Sequence, residues 1–254
     1  MKRICCIALL FCAVSANAGW WHRGRGFTVS TNGAAAWVAP TNGLLAYWSL
    51  DGDATADFGG KDLTLAGTTK PALTNGVADI VDTAYYMDVD HDDIDGESLF
   101  YASDALWNFG TGDFTLSCWF YATGSTFGGF MAHRNSGGAA GYAVHIRNTG
   151  AVSFYTRQSS VQNVITTDGA YNDSTWYHVA AVKTNTVLMI YIDGILVKSN
   201  TGVSDNTDNN EILTIGLVYS DRTDNVLDGA IDEPRIYGRG LTSNEVVTLS
   251  QQFD

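Results

Sequence analysis

The chain has little cysteine and little proline: four Cys and three Pro among 254 residues. Cys5, Cys6 and Cys12 lie in an apolar stretch at the N-terminus, and Cys118 is the fourth. One thiol beyond that stretch cannot form an internal disulfide, so a disulfide-stapled scaffold is excluded and packing has to hold the core. Cys118 lies in an apolar strand pattern, which is typical of a buried and unreactive thiol.

Positive charge is also scarce. Lys and Arg number 14 against 27 Asp and Glu, which gives a formal net charge of −13. A surface of this sign disfavours nucleic acid and anionic membranes as partners and favours cations.

The nucleophile-elbow, P-loop and H-E-x-x-H motifs are absent from the sequence, so it carries none of these hydrolase or nucleotide-binding signatures.

The N-terminal apolar run, residues 4–14, is too short to span a bilayer as a helix. It follows Lys2 and Arg3 and precedes small residues at 15–18. This pattern predicts a secretory signal peptide over residues 1–18. Its removal changes the formal charge from −13 to −15. We therefore expect an exported protein that is extracellular, held at the cell surface or periplasmic.

Residues 19–42 are basic, aromatic and glycine-rich at first and then rich in small residues. We interpret them as a flexible leader or linker. The alternative is that Trp20 and Trp21 anchor a partner. The rest of the chain, residues 43–254, has the length of one large all-β domain.

Within 43–254, short apolar and aromatic runs alternate with turns rich in Gly, Asn and Asp. Val187–Ile192 and Ile195–Lys198 flank Asp193-Gly194, a strong hairpin signal. No helical period is evident before the C-terminus. The pattern predicts an all-β fold, a two-sheet antiparallel β-sandwich with a short C-terminal helix.

The C-terminal stretch, Asp228–Leu249, reads as a strand, a glycine turn and a helix. Thr242 and Glu245 have the spacing of a capping box, which predicts the helix start. Asp232 lies among apolar residues, where a carboxylate costs several kcal/mol unless it is paired. Pro234 cannot donate to a strand ladder, which indicates an edge or a bulge.

Gly229–Glu245, with the sequence Gly-Ala-Ile-Asp-Glu-Pro-Arg-Ile-Tyr-Gly-Arg-Gly-Leu-Thr-Ser-Asn-Glu, resembles the C-terminal signature of laminin-G-like domains. These belong to the concanavalin-A-like lectin/glucanase jelly rolls. The Gly-Asp-Phe-Thr-Leu-x-x-Trp pattern ending at Trp119 is similar to a frequent pattern of that family, and so is Trp-x-His-Val-Ala-x-Val from Trp176. The aromatic strand that ends in the acidic turn at Asp51 resembles the family's start. The resemblance covers roughly residues 43–254.

The resemblance implies a jelly roll in which Trp119 packs inside the sandwich. It also implies a structural calcium ion held by Asp232 and the N-terminal loops, where Asp51 and Asp57 are the carboxylates we carry over. The residues support this independently, because calcium prefers oxygen ligands on flexible turns and the first and last strands of a jelly roll are commonly neighbours. The alternative is that Asp232 pairs with Arg235 or with a backbone amide.

A second acidic segment, Asp88–Glu97, fails as an EF-hand because its sixth position is Asp93 and its twelfth is Leu99. We interpret it as a solvated loop, with a second calcium site as the alternative.

Retaining glucanases of the superfamily carry a Glu-x-Asp-x-x-Glu motif on one strand, and the sequence lacks this motif. Glycoside hydrolysis requires two carboxyl groups that point into a cleft. The sequence does not indicate such a pair, so we expect no catalytic residues.

Binding remains as the function. Tyr142, His145, Tyr155 and Arg157 alternate along two middle strands, and their outward members could form a sugar platform. The alternative is that several of them are core aromatics. We predict a secreted, calcium-stabilised, non-catalytic module that binds a glycan or an extracellular matrix protein. The alternatives are a divergent glycan-active hydrolase and an adhesive surface protein that binds other proteins; the sequence leaves the oligomeric state open.

Overall fold

The structure is a computed structural model that describes residues 38–77, 79–88, 96–124, 127–138, 140–159, 161–221 and 224–253. The predicted signal peptide, most of the leader and most of the acidic segment Asp88–Glu97 lie outside these residues. Export and a second ion site therefore stay predictions. The described part of the chain contains no helix of the length and apolarity that a membrane span needs.

Two antiparallel sheets face each other across one core, which confirms the predicted β-sandwich. In spatial order, the first sheet contains β13 (Ile195–Thr201), β12 (Val187–Ile192), β11 (Trp176–Thr184), β6 (Phe114–Ala122), β15 (Gly229–Tyr237), β4 (Asp79–Met87) and β3 (Ala72–Gly76), with β1 (Leu44–Tyr47) also paired to β15. The second sheet contains β10 (Val161–Thr166), β9 (Val152–Gln158), β8 (Gly141–Ile146), β7 (Gly128–His133), β14 (Leu213–Ile215), β5 (Ser98–Tyr101) and β2 (Thr64–Ala66). A single 3₁₀ turn covers Ala105–Trp107, and helix α1 covers Ser243–Ser250.

Strand β6 shows why the core forms where it does. Phe114, Leu116, Cys118 and Phe120 alternate along the strand and all point into the sandwich. Burial raises the pKa of the Cys118 thiol, so the thiol stays protonated and inert, as the sequence predicts.

The expected position of Trp119 is wrong. Because Cys118 and Phe120 take the inward positions, strand alternation directs Trp119 to the outer face of the first sheet. Its ring contacts the His178 ring at 5.4 Å and the Phe253 ring at 5.9 Å between centroids. The residue is still buried, because the C-terminal end of the chain covers it.

Strand β15 carries a bulge at Pro234, one of the two features that the proline predicts. The ladder to β6 is regular up to Asp232 and resumes at Arg235, and Glu233 between them has φ of 55°. The bulge lets Ile231 and Ile236 both reach the core although they are an odd number of residues apart. The strand is not at an edge, because β6 and β4 flank it.

The two ends of the domain meet at the same strand. β1 pairs antiparallel with β15, with Leu44 opposite Tyr237, and the Trp48 N–H donates to the Pro234 carbonyl at 3.1 Å. This confirms that the first strand lies against the last. Helix α1 begins with the predicted capping box of Thr242 and Glu245 and packs on the outer face of the first sheet.

Candidate functional site

Asp232 lies on the outer side of β15 and is fully buried. The Val77 N–H, in the turn after β3, donates to its Oδ2 at 3.2 Å. Its charge adds to burial in raising the pKa of Cys118. Asp232 thus holds the turn between β3 and β4 against the last strand.

Asp51 and Asp57 lie in the loop after β1. The Ser49 N–H donates to Asp57 Oδ2 at 2.6 Å, and the Thr83 N–H of β4 donates to Asp51 Oδ1 at 3.2 Å. Burial, and then the nearby charges of Asp51 and Asp53, raise the pKa of Asp57. Thr83 follows the β3–β4 turn on β4, so Asp51 and Asp232 both hold the hairpin that β3 and β4 form. Within the described ranges, no group of three or more His, Cys, Asp or Glu is placed to hold a metal.

The four residues of the predicted sugar platform do not share one open surface. Tyr142 lies wholly inside the core and its hydroxyl donates to a backbone carbonyl, so it has no surface to offer a ligand. His145 and Tyr155 face outward but are buried, and the Arg134 guanidinium covers the Tyr155 ring at 3.8 Å from its centroid. Arg157 is half-exposed. The hypothesis of core aromatics is correct for Tyr142, and a ligand contact by the other three stays a prediction.

An open groove lies instead on the outer face of the first sheet. Its floor is Ala230 of β15, and its walls carry Tyr86 of β4 on one side and Tyr121 of β6 and Trp176 of β11 on the other. Strand register brings these residues into one row, because Ala230 pairs with both Tyr86 and Tyr121, and Tyr121 pairs with Trp176. The Tyr121 and Trp176 rings are 5.7 Å apart between centroids.

The groove has a volume of about 300 Å³, and Thr74 and Asn75 of β3 complete its lining. Tyr86, Tyr121 and Trp176 are each half-buried, so their rings are supported by the sheet and still reach solvent. The sequence pattern does not single out these residues as a set. One local signal does indicate the groove. In the alternating sequence of β6, Trp119 and Tyr121 are on the face opposite to the core residues, so this outer face carries aromatic side chains.

A laminin G sequence profile, described as the concanavalin A-like lectin/glucanases superfamily, matches residues 95–247, which is more than half of the chain. The chain belongs to this superfamily. A comparison with curated protein sequences finds no match for this laminin-G-like domain.

Several solved structures have a fold similar to that of the laminin-G-like domain, and two of the three described below are binding domains. Domain 4 of AbnA, a GH43 extracellular arabinanase from Geobacillus stearothermophilus, solved in complex with arabinotriose, is 19% identical, with 82% of this chain and 98% of that chain covered at a TM-score of 0.65. The binding domain of Paraclostridial Mosquitocidal Protein 1 is 16% identical, with coverages of 84% and 52% and a TM-score of 0.65. The Botulinum Neurotoxin serotype G binding domain is 14% identical, with coverages of 82% and 50% and a TM-score of 0.62. The chain spans about half the length of the two toxin domains.

One buried pair in the laminin-G-like domain has the composition of a nucleophile and a base. Ser117 Oγ lies 2.9 Å from His178 Nε2 on the outer side of the first sheet. Both side chains are fully buried. Burial, and then the positive charge of Arg235, lower the pKa of His178 to about 3, so the imidazole is neutral at pH 7. A substrate cannot reach either atom, so the pair is structural.

Proposed function

We propose that the chain is an exported, non-catalytic module that binds a saccharide in the groove formed by Tyr86, Tyr121, Trp176 and Ala230. The observation that carries the proposal is the row of three supported aromatic rings around a small floor residue. Aromatic faces pack against the C–H faces of sugar rings, while hydroxyls bond to polar rim groups. Asn75 and Thr74 supply such groups on the β3 side.

The size of the groove supports one sugar ring between the walls. Tyr86 and Tyr121 lie on the two strands that flank β15, so their backbones are about 10 Å apart. A ring in van der Waals contact with an aromatic face on each side needs about 7–8 Å between the two faces. The similarity to a domain solved with arabinotriose makes that trisaccharide the first ligand to test.

Replacing Trp176 by Ala is expected to weaken saccharide binding about ten-fold or more, because a supported aromatic contact contributes on the order of 1.4 kcal/mol or above. Titration calorimetry on a panel of neutral oligosaccharides that includes arabinotriose measures the change. Phe58→Ala removes another exposed aromatic, in the loop after β1, and should leave the affinity unchanged.

Arg157→Ala on the second sheet separates the two candidate surfaces. If Arg157→Ala abolishes binding while Trp176→Ala does not, the ligand lies on the predicted platform and the groove assignment falls. A protein ligand without saccharide binding would favour an adhesive role. Turnover of any polysaccharide would favour the hydrolase alternative.

We further propose a structural calcium ion at the seam where the loop after β1 meets β15. Asp232, Asp51 and Asp57 would supply carboxylate oxygens, and backbone carbonyls of the loop and water would complete the shell. Asp232 supports the proposal, since it is a fully buried carboxylate on the strand that β1 joins, and the three carboxylates would have to move closer together around the ion, because among the described residues they do not form a metal-holding group. A bound cation there would neutralise part of the negative charge of these carboxylates.

Calcium is expected to raise the thermal unfolding midpoint, and a chelator to lower it. A ligand present at a hundred times its Kd stabilises a fold by about 2.7 kcal/mol. Asp232→Asn should remove the calcium dependence, whereas Asp168→Asn, a surface aspartate bonded to Lys198, should retain it. A midpoint that calcium and chelator leave unchanged would remove the ion from the proposal without affecting the groove.

A further inference from the structure

Two arginines lie on the outer face of the second sheet, on the opposite side of the sandwich from the groove. Arg134 follows β7 and Arg157 lies near the end of β9. Gly141 of β8 stands between them, because it pairs with Arg157 and the register of β7 carries Arg134 opposite Gly141. One strand separates β7 from β9, so the two backbones are about 10 Å apart. One oligosaccharide can therefore contact both side chains.

The Arg134 guanidinium is held by two aromatic rings. Its Cζ lies 3.8 Å from the centroid of the Tyr155 ring and 4.6 Å from that of the Tyr219 ring. Such contacts use the face of a guanidinium rather than its N–H edge. Arginine has five N–H donors in one plane and no acceptor, so the edge suits a carboxylate or a sulfate. Arg134 is 6% exposed, which leaves it open to a ligand at this surface.

Arg157 is held by the loop between β7 and β8. A Cβ at Gly138 would lie 2.5 Å from Arg157 Nη2, so the glycine backbone packs on the guanidinium. Arg157 is half-exposed. Both arginines are thus placed by their surroundings before any ligand binds, which reduces the entropy that binding would cost.

Neither arginine is paired with an acid. Among the residues that the structure describes, no carboxylate lies within ion-pair distance of either guanidinium. Burial lowers the pKa of Arg134, and the charge of Arg157 acts in the same direction. Charges with so little contact to water are ordinarily paired. An anionic group from a ligand would supply the missing partner.

Two carboxylates on the rim of this face are held by neutral donors. Asp221 accepts from the Ser136 N–H at 2.7 Å and from Ser136 Oγ at 2.8 Å. Glu211 Oε1 accepts from Asn135 Nδ2 at 2.6 Å. These bonds tie the loop between β7 and β8 to the segments on either side of β14. They frame Arg134 without forming an ion pair with it.

The layer around Arg134 also contains polar atoms that the described residues leave without a hydrogen bond. They are Tyr155 Oη and His145 Nδ1, and each residue is 3% exposed. Burial, and then the charges of Arg134 and Arg147, lower the pKa of His145 to about 3, so its imidazole is neutral at pH 7. A buried polar atom without a partner is costly. The hydroxyls of a bound sugar, or water held by them, would supply partners.

We propose that Arg134 and Arg157 form a second ligand site, which binds the carboxylate or sulfate group of an acidic saccharide. The saccharide class rests on the proposed function, whereas the acidic group follows from the two arginines. Neutral saccharides then occupy the groove on the first sheet, and acidic ones occupy this site on the second.

The test begins with a glycan array that contains neutral, uronic-acid and sulfated families. Titration calorimetry then compares trigalacturonic acid with galactotriose, which differ at C6, and with triglutamate, which has the same net charge as the acid but no sugar hydroxyls. Trigalacturonic acid is expected to bind at least ten-fold more tightly than triglutamate, and Trp176→Ala should leave its affinity unchanged. High salt should weaken the binding of trigalacturonic acid and leave that of galactotriose unaffected.

Three variants test the arginines. Arg157→Gln removes a half-exposed charge, and Arg134→Lys retains the charge but loses the planar fork of donors. Each should weaken trigalacturonic acid binding about ten-fold or more and leave galactotriose binding unchanged. Arg147→Gln is the matched control. It removes the same charge from an exposed residue that is six positions from Gly141 along the chain, or about 20 Å, and should leave both affinities unchanged.

The outcomes separate this site from the groove. Loss of trigalacturonic acid binding in Trp176→Ala, with Arg134→Lys and Arg157→Gln unaffected, would place the acid in the groove and overturn the second site alone. Equal weakening by Arg157→Gln and Arg147→Gln would reduce the effect to overall charge and would also overturn it. Triglutamate that binds as tightly as the sugar would overturn the saccharide class in favour of an acidic peptide.

The array decides between the two proposals. If it binds neutral glycans and no acidic ones, the second site falls and the groove function stands. If it binds acidic glycans and no neutral ones, and the arginine variants abolish that binding, the groove function falls and the second site stands.

Discussion

Replacing Arg235 by Met is expected to lower the free energy of unfolding by about 3–5 kcal/mol at pH 7, since it leaves a buried carboxylate without its cation. Arg235 and Glu233 are each 1% exposed, and Arg235 Nη2 donates to Glu233 Oε2 at 2.5 Å. The same nitrogen donates to Gln252 Oε1 at 2.9 Å, and the guanidinium stacks 4.2 Å from the centroid of the Tyr47 ring. A Met side chain occupies the space of the aliphatic part of Arg235, but it supplies neither the positive charge nor the hydrogen-bond donors of the guanidinium.

The loss should depend on pH, in a direction that follows from Glu233. Burial raises the pKa of Glu233, and the Arg235 charge acts against that rise. Without Arg235 the pKa in the folded state moves higher still. A group whose folded pKa is raised contributes stability that is present below its unfolded pKa and lost as pH rises. The loss in free energy of unfolding caused by Arg235→Met should therefore be small near pH 4 and grow toward pH 8. Urea unfolding of both proteins at the two pH values measures this difference.

The double variant Glu233→Gln/Arg235→Met is the control, because it removes both charges of the buried pair. It should recover more than half of the stability that the single variant loses, and most of the pH dependence should disappear. If the double variant is as unstable as Arg235→Met, the arginine stabilises the fold through its packing on Tyr47 rather than through charge.

Local signals in the sequence predict the elements of the fold well. The Asp193-Gly194 turn, the bulge at Pro234 and the capping box of Thr242 and Glu245 are all observed. Each depends on a few neighbouring residues, because turn conformation, a missing N–H and a helix cap are short-range effects. The family resemblance then supplies the pairing of the sheets.

The site could not be predicted the same way, because it depends on which side of each strand faces inward. Alternation divides β6 into two sets but does not say which set is the core, so it cannot test the inward position of Trp119 that the family resemblance implies. For the same reason, alternation leaves open whether Tyr142 is an outward platform residue or a core aromatic. To predict the groove, one has to know the register of four strands that lie far apart in sequence. Only the tertiary pairing of these strands brings Tyr86, Tyr121 and Trp176 around Ala230.

Replacing Gly229 by Ala is expected to cost about 2–5 kcal/mol of stability and to weaken saccharide binding as well. A Cβ at Gly229 would lie 1.9 Å from the Tyr121 carbonyl oxygen and 3.0 Å from the Ala122 Cα, and φ is +153°. The obstacle is backbone of β6 rather than a flexible side chain, so β15 and β6 have to move apart. Overpacking of this kind costs about 1–3 kcal/mol, and a left-handed backbone adds about 1–2 kcal/mol.

Gly60→Ala is the matched control, because Gly60 has φ of +61° and a Cβ there meets nothing within 4 Å. It carries the backbone strain of a positive φ without the collision, so about 1–2 kcal/mol is expected, and binding should be unchanged. Gly229 stands between Asp228 and the floor residue Ala230, and its collision is with the residue whose ring forms a wall of the groove. If Gly229→Ala unfolds no more easily than Gly60→Ala and binds saccharide normally, β15 can shift at little cost, and the floor of the groove is not held rigidly by its neighbours.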